Sequence, residues 1–509
     1  MLMTSTTPGG AVPTVVIAAP SSGSGKTTVT TGLIGALRAA GHRVAPFKVG
    51  PDYIDPGYHS VAAGRPGRNL DPNLVGDELI GPLFAAGSRG ADIAVVEGVM
   101  GLFDGRIAGG DDAMGASAFG STAHVAKLIG APVVLVVDAA GHSQSMAALL
   151  HGFIGFDPGV RIAGVILNRV GSPRHELVLR QACARVGLPV VGVVRRDPAL
   201  QVPSRHLGLI PAAERRDDAV RAVDAMSATV GAVVDLPAII AIAREARGPV
   251  ESGAWDVGEA LAAVTTDAQP HADRSRPVIA VAGGAAFTFG YAEHHEMLTA
   301  AGADVVGFDP LLDRLPDGTA GVVIGGGFPE EHAEALSANE PLRKDLADHA
   351  RAGRPIHAEC AGLLYLAIEL DGHPMAGVID AIGSFGPRLT LGYRDAVAVS
   401  GSVLFDAGRR VTGHEFHRST VEFGSLSPAG PAREPREPAW GWRDHDGRPK
   451  VDGWAAGGVH GSYLHLHPAA VPDAIARFVD DARRGSPHRS GPRRSHSVAV
   501  SSDHTSGEM

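Results

Sequence analysis

The sequence predicts an α/β protein made of two domains, each built on a parallel sheet. Two observations lead there. From residue 14 onward, short apolar runs of strand length alternate with amphipathic stretches of helical spacing, and strands apolar along their whole length belong in sheets covered on both faces. Glycine (67) and proline (36) form about a fifth of the 509 residues without a collagen-like period, as many short loops between elements require.

In order, Val15–Ala18, Ile93–Val96, Val133–Val137 and Ile162–Leu167 read as buried strands, with helices such as Thr28–Ala40 and Ser143–Gly152 between them. This N-terminal domain is assigned to residues 14–245. Residues 246–276, carrying Pro249 and Pro270, read as a linker with one helix near Ala254–Val264. A second α/β domain, 277–480, opens on the strand Val278–Val281 and continues through Val322–Ile324 and Ile356–Ala358. Ser425–Gly453 holds five prolines and many charges and reads as a long surface excursion. The tail, 483–509, is Ser, Arg, His, Pro and Gly with almost nothing apolar. It is expected to be disordered, because it buries too little to offset the entropy of ordering it.

Composition excludes several classes. With 44% hydrophobic and 20% charged residues, the chain has enough apolar surface for sizeable cores. Lys and Arg number 45 against 55 Asp and Glu, a net charge of −10, so neither a nucleic acid nor an anionic membrane has electrostatic support as partner. No apolar run approaches the ~18 residues of a membrane span, and Met1–Gly10 lacks the pattern of a secretory leader. The two cysteines, Cys183 and Cys360, cannot make a disulfide framework, and a reducing, cytoplasmic location is expected.

Two constellations carry chemistry. The first follows Val15–Ala18: Pro20-Ser21-Ser22-Gly23-Ser24-Gly25-Lys26-Thr27-Thr28, then a helix. A phosphate-binding loop wants Gly-x-x-x-x-Gly-Lys-Ser/Thr after a strand, and here Pro20 stands at the first glycine. The physics survives the change. Gly23 and Gly25 let backbone N–H groups turn toward phosphate, the helix N-terminus adds its positive end, and Lys26 brings a mobile charge. Thr27 is placed to ligate Mg²⁺. Carboxylates for the metal should close nearby strands, and two segments offer them: Phe47–Asp55, with Asp52, and Glu97–Gly105, where Glu97 ends an apolar strand and Asp104 follows among glycines. His59 and His124 are weaker candidates.

The second constellation is Ile356-His357-Ala358-Glu359-Cys360-Ala361-Gly362-Leu363, a strand, a tight turn at Cys360 and an apolar helix. Such an elbow projects the sulfur, and the helix N-terminus is expected to lower the thiol pKa from about 8.5. Upstream, Gly325-Gly326-Gly327-Phe328-Pro329-Glu330 follows a strand and offers backbone N–H groups for an oxyanion hole. A thiol nucleophile needs a base. His460, His465 and His467 form one group of candidates and His414 and His417 another, and spacing alone does not choose among them. Cys183 sits mid-helix without such surroundings and reads as packing.

A phosphate loop joined to a cysteine elbow suggests glutamine-dependent amide synthesis. On Ala19–Thr28, Phe47–Asp55, Glu97–Gly105, Gly326–Glu330, Glu359–Gly362, Gly413–Ser419 and Ser462–His465, the chain resembles the cobyrinic/hydrogenobyrinic acid a,c-diamide synthases of corrin (vitamin B12) biosynthesis over roughly residues 14–480. The resemblance implies an N-terminal domain similar to dethiobiotin synthetase and a C-terminal class I glutamine amidotransferase domain. It implies Cys360 as nucleophile and His465 as base. Gly326 and Gly327 would form the oxyanion hole. Gly23, Ser24, Gly25, Lys26, Thr27 and Thr28 would bind the nucleotide, with Asn168 reading adenine. Thr27, Asp52 and Glu97 would hold Mg²⁺, while Tyr53, Ile54 and Asp104 would meet the macrocycle. Many class I domains carry an acid two residues after the base; here that position is His467, so the pair acts as a dyad or recruits another group. The implied partners are ATP, L-glutamine and the corrinoid macrocycle, with a homodimer as a candidate assembly. Ammonia would travel inside the protein to a carboxylate activated by ATP. Within the family, nickel-sirohydrochlorin a,c-diamide synthase shares the motifs, and the Ala-, Arg- and Gly-rich composition, as in a GC-rich aerobic bacterium, points to hydrogenobyrinate. A partitioning-type regulatory P-loop ATPase is the alternative from a different class.

Overall fold

Valine-rich strands separated by helices bury both faces only in a covered parallel sheet, and the computed structural model shows two such sheets, the second with one antiparallel edge strand. It describes residues 11–106, 118–196, 204–205, 208–209, 211–212, 214–249, 253–265, 275–424 and 437–485. In the first half, β1 (Thr14–Ala18), β2 (Val44–Val49), β3 (Arg68–Leu70), β4 (Ile93–Glu97), β5 (Val133–Asp138), β6 (Ile162–Val170) and β7 (Val190–Arg195) form one sheet in the order β3-β2-β4-β1-β5-β6-β7. Every pairing is parallel. The chain leaves β1 toward one edge and returns through β4 to build the other, so the loops after β1 and β4 meet at a switch in direction, where ligands of such sheets bind. Helix α1 (Lys26–Ala39) starts in the phosphate loop, and α2 (Asp55–Ala63) starts at the end of the Asp52 segment. A short hairpin, β8 (Ser204–Arg205) with β9 (Gly208–Leu209), follows.

The second half holds β10 (Val278–Ala282), β11 (Asp304–Phe308), β12 (Thr319–Ile324) and β13 (Ile356–Glu359). A mostly antiparallel layer follows, with only β14 and β16 paired in parallel among the described residues: β14 (Glu369–Leu370), β15 (His373–Pro374), β16 (Ala381–Ala398), β17 (Arg410–Phe423), β18 (Trp440–Arg443) and β19 (Pro449–Asp452). Finally β20 (Trp454–Ala456) and β21 (Val459–Ser462) rejoin the first sheet, whose order is β11-β10-β12-β13-β21-β20. The long pair β16 and β17 reaches back over the N-terminal half, where the Tyr393 hydroxyl donates to Asp71 Oδ2 at 2.9 Å.

Three expectations change. The helix in residues 246–276 forms over Val257–Ala262, but Trp255 and Leu261 are buried in the core, so this stretch is packed and not a bare tether. The expected surface excursion closes with a hairpin: β18 and β19 pair, and Trp440 is fully buried. Its first part, 425–436, lies outside the described residues. The last helix extends through Arg484, into the start of the expected disordered tail, and 486–509 lie outside the described residues.

Candidate active site

The phosphate loop is shaped by close approaches. Gly25 has φ +84°, and a Cβ there would lie 2.2 Å from Asn168 Nδ2, so both conformation and space exclude a side chain. The Asn168 amide donates to Ser24 O at 2.9 Å and its oxygen accepts from Arg169 N at 2.9 Å, which ties β6 to the loop. Gly23 has φ +78° and open space around it, while Thr28 lies within the first turn of α1. The segment after β4 folds over the same loop. Gly98 N–H donates to Ile17 O at 2.9 Å and Leu102 N–H to Ala19 O at 2.8 Å, and Lys26 Nζ donates to Met100 O at 3.2 Å. Burial and the neighbouring Lys48 push the Lys26 pKa down.

Thr27, the next residue, meets the acids. Its hydroxyl donates to Glu97 Oε1 at 2.6 Å and lies 3.2 Å from Asp55 Oδ2. Lys48, pointing up from β2, sits 2.5 Å from Asp55 Oδ2 and 2.9 Å from Glu97 Oε1. His59 Nε2 is 2.7 Å from Glu97 Oε2, and both side chains are fully buried. Burial alone would raise the Glu97 pKa, but Lys48 and His59 hold it well below the carboxylate range. Burial and Asp52 push Asp55 up against the pull of Lys48. Burial works against the Lys48 charge, yet Asp55 and Glu97 keep it well above an ordinary lysine. Sequence reasoning did not single out Lys48 or Asp55 and ranked His59 only as a weaker candidate. A lone lysine within the apolar run of β2 was the available signal, since a buried lysine requires paired acids.

Of the remaining expected acids, Asp52 caps the chain: its Oδ1 accepts from Ile54 N at 2.8 Å and Asp55 N at 2.9 Å. Asp104 is exposed, and its Oδ2 accepts from Gly101 N at 2.9 Å, closing its own turn. Among the described residues no cluster of three or more His, Cys, Asp or Glu side chains is arranged for a resident metal. The oxygen donors of Thr27, Glu97 and Asp55 instead fit a hard cation that arrives with nucleotide phosphates, which needs few protein ligands.

In the second half, Cys360 adopts φ +51°, the strained elbow expected of a nucleophile between β13 and a helix over Ala361–Leu366. Cys360 N–H donates to Ser462 O at 2.7 Å and Gly362 N–H to Gly325 O at 3.1 Å, so the elbow is clamped between β21 and the glycine loop. The backbone N–H groups of Ala361 and Gly327 face the sulfur. Ala361 was missed as a donor, although the residue after such a nucleophile supplies one by position. The expectation of a lowered thiol pKa fails. Burial and Glu330 push the thiol up, and the two N–H groups only partly oppose them. The helix behind it has six residues, too few for a large dipole contribution.

The structure separates the histidines. β21 ends at Ser462, so the alternation of faces that a strand over Ser462–His467 would give does not apply. His465 is held by a pair of 2.9 Å backbone hydrogen bonds with His414. A Cβ on Gly326 would lie 2.5 Å from His465 Cε1, which places the imidazole against the same loop whose Gly327 N–H faces the sulfur. His417 stacks on Tyr463 at 3.7 Å, His460 faces Ser402 Oγ at 3.1 Å, and His467 Nδ1 accepts from Ala469 N at 3.3 Å.

One residue joins the halves at their chemistry. Tyr53, between Asp52 and Asp55, is buried with its ring 4.9 Å from that of His465 and 5.2 Å from that of Phe289, and its hydroxyl is 2.8 Å from that of Tyr291. On its other side opens a cavity of about 1880 Å³, lined by Asp52, Tyr53, Ile54 and Met100 from the first half and by β16–β19 from the second. Arg106, Arg388, Arg394, Arg410, Arg443, Arg448 and Lys450 edge it, and Leu391, Val399 and Val451 present exposed apolar surface.

Residues 15–210 match the CobQ/CobB/MinD/ParA nucleotide binding domain family, and residues 278–471 match the CobB/CobQ-like glutamine amidotransferase domain family. A protein of Mycobacterium tuberculosis named hydrogenobyrinate a,c-diamide synthase is 58% identical over 94% of this chain and 99% of its own. The chain belongs to the a,c-diamide synthase family. Another member, from Streptomyces coelicolor and of the same name, is 57% identical over 94% of this chain and 100% of its own. A cobyrinate a,c-diamide synthase from Gloeobacter violaceus is 41% identical over 91% and 96%. Membership accounts for a phosphate-loop domain and a glutamine amidotransferase domain in one chain. No described helix is long and apolar enough to cross a membrane.

Proposed function

We propose that this chain amidates the a- and c-acetate carboxylates of hydrogenobyrinate, taking nitrogen from glutamine and activating each carboxylate with ATP. The observation that carries the reading is the cavity between the halves. A macrocycle edged by carboxylates needs apolar walls for its ring and cations for its rim, and the cavity supplies both and reaches Met100, whose carbonyl accepts from Lys26. The choice of macrocycle rests on the relatives: those named for hydrogenobyrinate are 51–58% identical, those named for cobyrinate 39–41%.

The chemistry divides between the sites. At the elbow, the Cys360 sulfur bonds to the glutamine carboxamide carbon and the C–N bond breaks. His465 passes the thiol proton to the departing ammonia, and the N–H groups of Gly327 and Ala361 receive the oxyanion. Water then cleaves the thioester to glutamate. At the phosphate loop, residues Gly23–Thr28 and Lys26 in particular hold ATP while its terminal phosphoryl group passes to the acetate carboxylate and ADP leaves. Ammonia displaces inorganic phosphate from the acyl phosphate to give the amide. Mg²⁺ would be held by Thr27 and Glu97, with Asp52 and Asp55 beside them, and supplies charge neutralisation for the phosphoryl group. Tyr53, Ile54 and Asp104 would meet the macrocycle, and Asn168 the adenine. The test offers hydrogenobyrinate, cobyrinate and nickel-sirohydrochlorin separately with ATP and glutamine and weighs the products. Two amidations of hydrogenobyrinate are expected; an unreacted hydrogenobyrinate beside an amidated competitor overturns the choice. A partitioning ATPase would release no glutamate from glutamine.

A further inference from the structure

The acid that many class I domains carry two residues after the base is His467 here, and its Nδ1 is occupied by Ala469 N–H while its ring packs 4.4 Å from that of Tyr291. A carboxylate nevertheless reaches the base from the other direction. Glu359, at the end of β13 and one residue before the nucleophile, places Oε2 3.6 Å from His465 Nδ1. Its Oε1 lies 3.3 Å from His357 Nε2 and accepts from Leu466 N at 3.4 Å, so the side chain is anchored on two sides. His465 Nε2 is buried and has no protein hydrogen-bond partner. We propose that Glu359 is the positioning residue of the thiol site, fixing the His465 ring through Nδ1 and leaving Nε2 to exchange the proton of Cys360.

The 3.6 Å separation is an electrostatic contact, longer than a formed hydrogen bond, and contacts of this kind tighten in the Michaelis complex. Burial would favour a neutral Glu359, but His357 and His465 hold its carboxyl well below the usual range, so the charge is present when imidazolium forms. Its other neighbours do not compete for that role. Burial and His357 lower His294 to about 4 and His460 to about 3, burial and His465 lower His414 to about 3, and burial keeps the Tyr53 and Tyr291 phenols protonated. During turnover the thiol proton moves to Nε2 as the S–C bond forms and on to the amide nitrogen as the C–N bond breaks; Glu359 keeps its charge throughout.

The inference rests on the glutaminase reading, and glutamate release by the wild-type full chain, without macrocycle, tests that reading separately. In Glu359→Gln, kcat for glutamate release should fall about 10²-fold or more with KM changed by less than about threefold. Amidation driven by ammonia should persist. Glu359→Asp should recover part of kcat, and serves as the test if the Gln variant does not fold. Wild-type kcat in either variant, or an equal loss of ammonia-driven amidation, overturns the assignment.

Discussion

Around Thr27, Lys48 lies between Glu97 and Asp55, and His59 backs Glu97, so opposite charges already meet inside the first half. Around Cys360 the reverse holds. Cys360 is 3% exposed, its thiol is pushed up, and its S–H points to Phe416 O at 3.9 Å. One half keeps its charges standing and matched. The other keeps its thiol neutral. The difference teaches that burial serves opposite ends: it strengthens a paired cluster, and it silences an unpaired thiol.

The largest effect should come from removing the silent group. Cys360→Ala should abolish glutamine-dependent amidation while ammonia at high concentration still supports product; loss of both activities would break the division into two sites. Next, Lys26→Ala should lower ATP-dependent product formation by about 10²-fold or more and leave glutamine hydrolysis measurable, since Lys26 reaches the phosphate loop and Met100 O but not the thiol. Product formation at the wild-type rate would remove the loop from the reaction.

A smaller contrast lies within the thiol half. His465→Ala should lower glutamate release by about 10²–10⁴-fold. His467→Ala should do far less, because its ring packs on Tyr291 and its Nδ1 serves Ala469. Kinetics of the two variants decide, and a larger loss at His467 would reverse the assignment.

The smallest effect concerns the seam between the halves. Burial pushes the Asp71 carboxyl from 3.8 up to about 6, against hydrogen bonds from Tyr393 and Asn73. A folded pKa above the unfolded one means that the folded state holds the proton longer. Stability from this residue therefore falls as pH rises from about 4 to about 6 and is level above. Asp71→Asn keeps an oxygen for Asn73 and should remove that slope. Unfolding midpoints of both proteins between pH 4 and 8 should diverge through this window and run parallel above it; a constant offset would show that Asp71 is not the source.

Much of this was legible in the sequence because it depends on local order along the chain. Strand, glycines, Lys26, Thr27 and a helix follow one another, as do strand, Cys360 and helix, and both constellations form where expected. What was not legible depends on distant segments meeting. Lys48, Asp55 and His59 matter because β2, α2 and β4 converge, and spacing gives no hint that His59 backs Glu97. The thiol direction was misjudged because a sequence shows that a helix follows Cys360 but not how deeply the sulfur is buried. Spacing could not choose among His460, His465 and His467 because β21 stops at Ser462, a boundary set by pairing with β13 and β20.

Tyr53 gives the halves a shared inheritance. The ring against His465 belongs to the nucleotide half, and four residues, Asp52 to Asp55, reach from His465 in one half to the acids around Thr27 in the other. A glutaminase excised from this chain would leave without a piece of its own wall. Exchanging either half for one from another protein therefore means redesigning a surface, not merely rejoining a peptide.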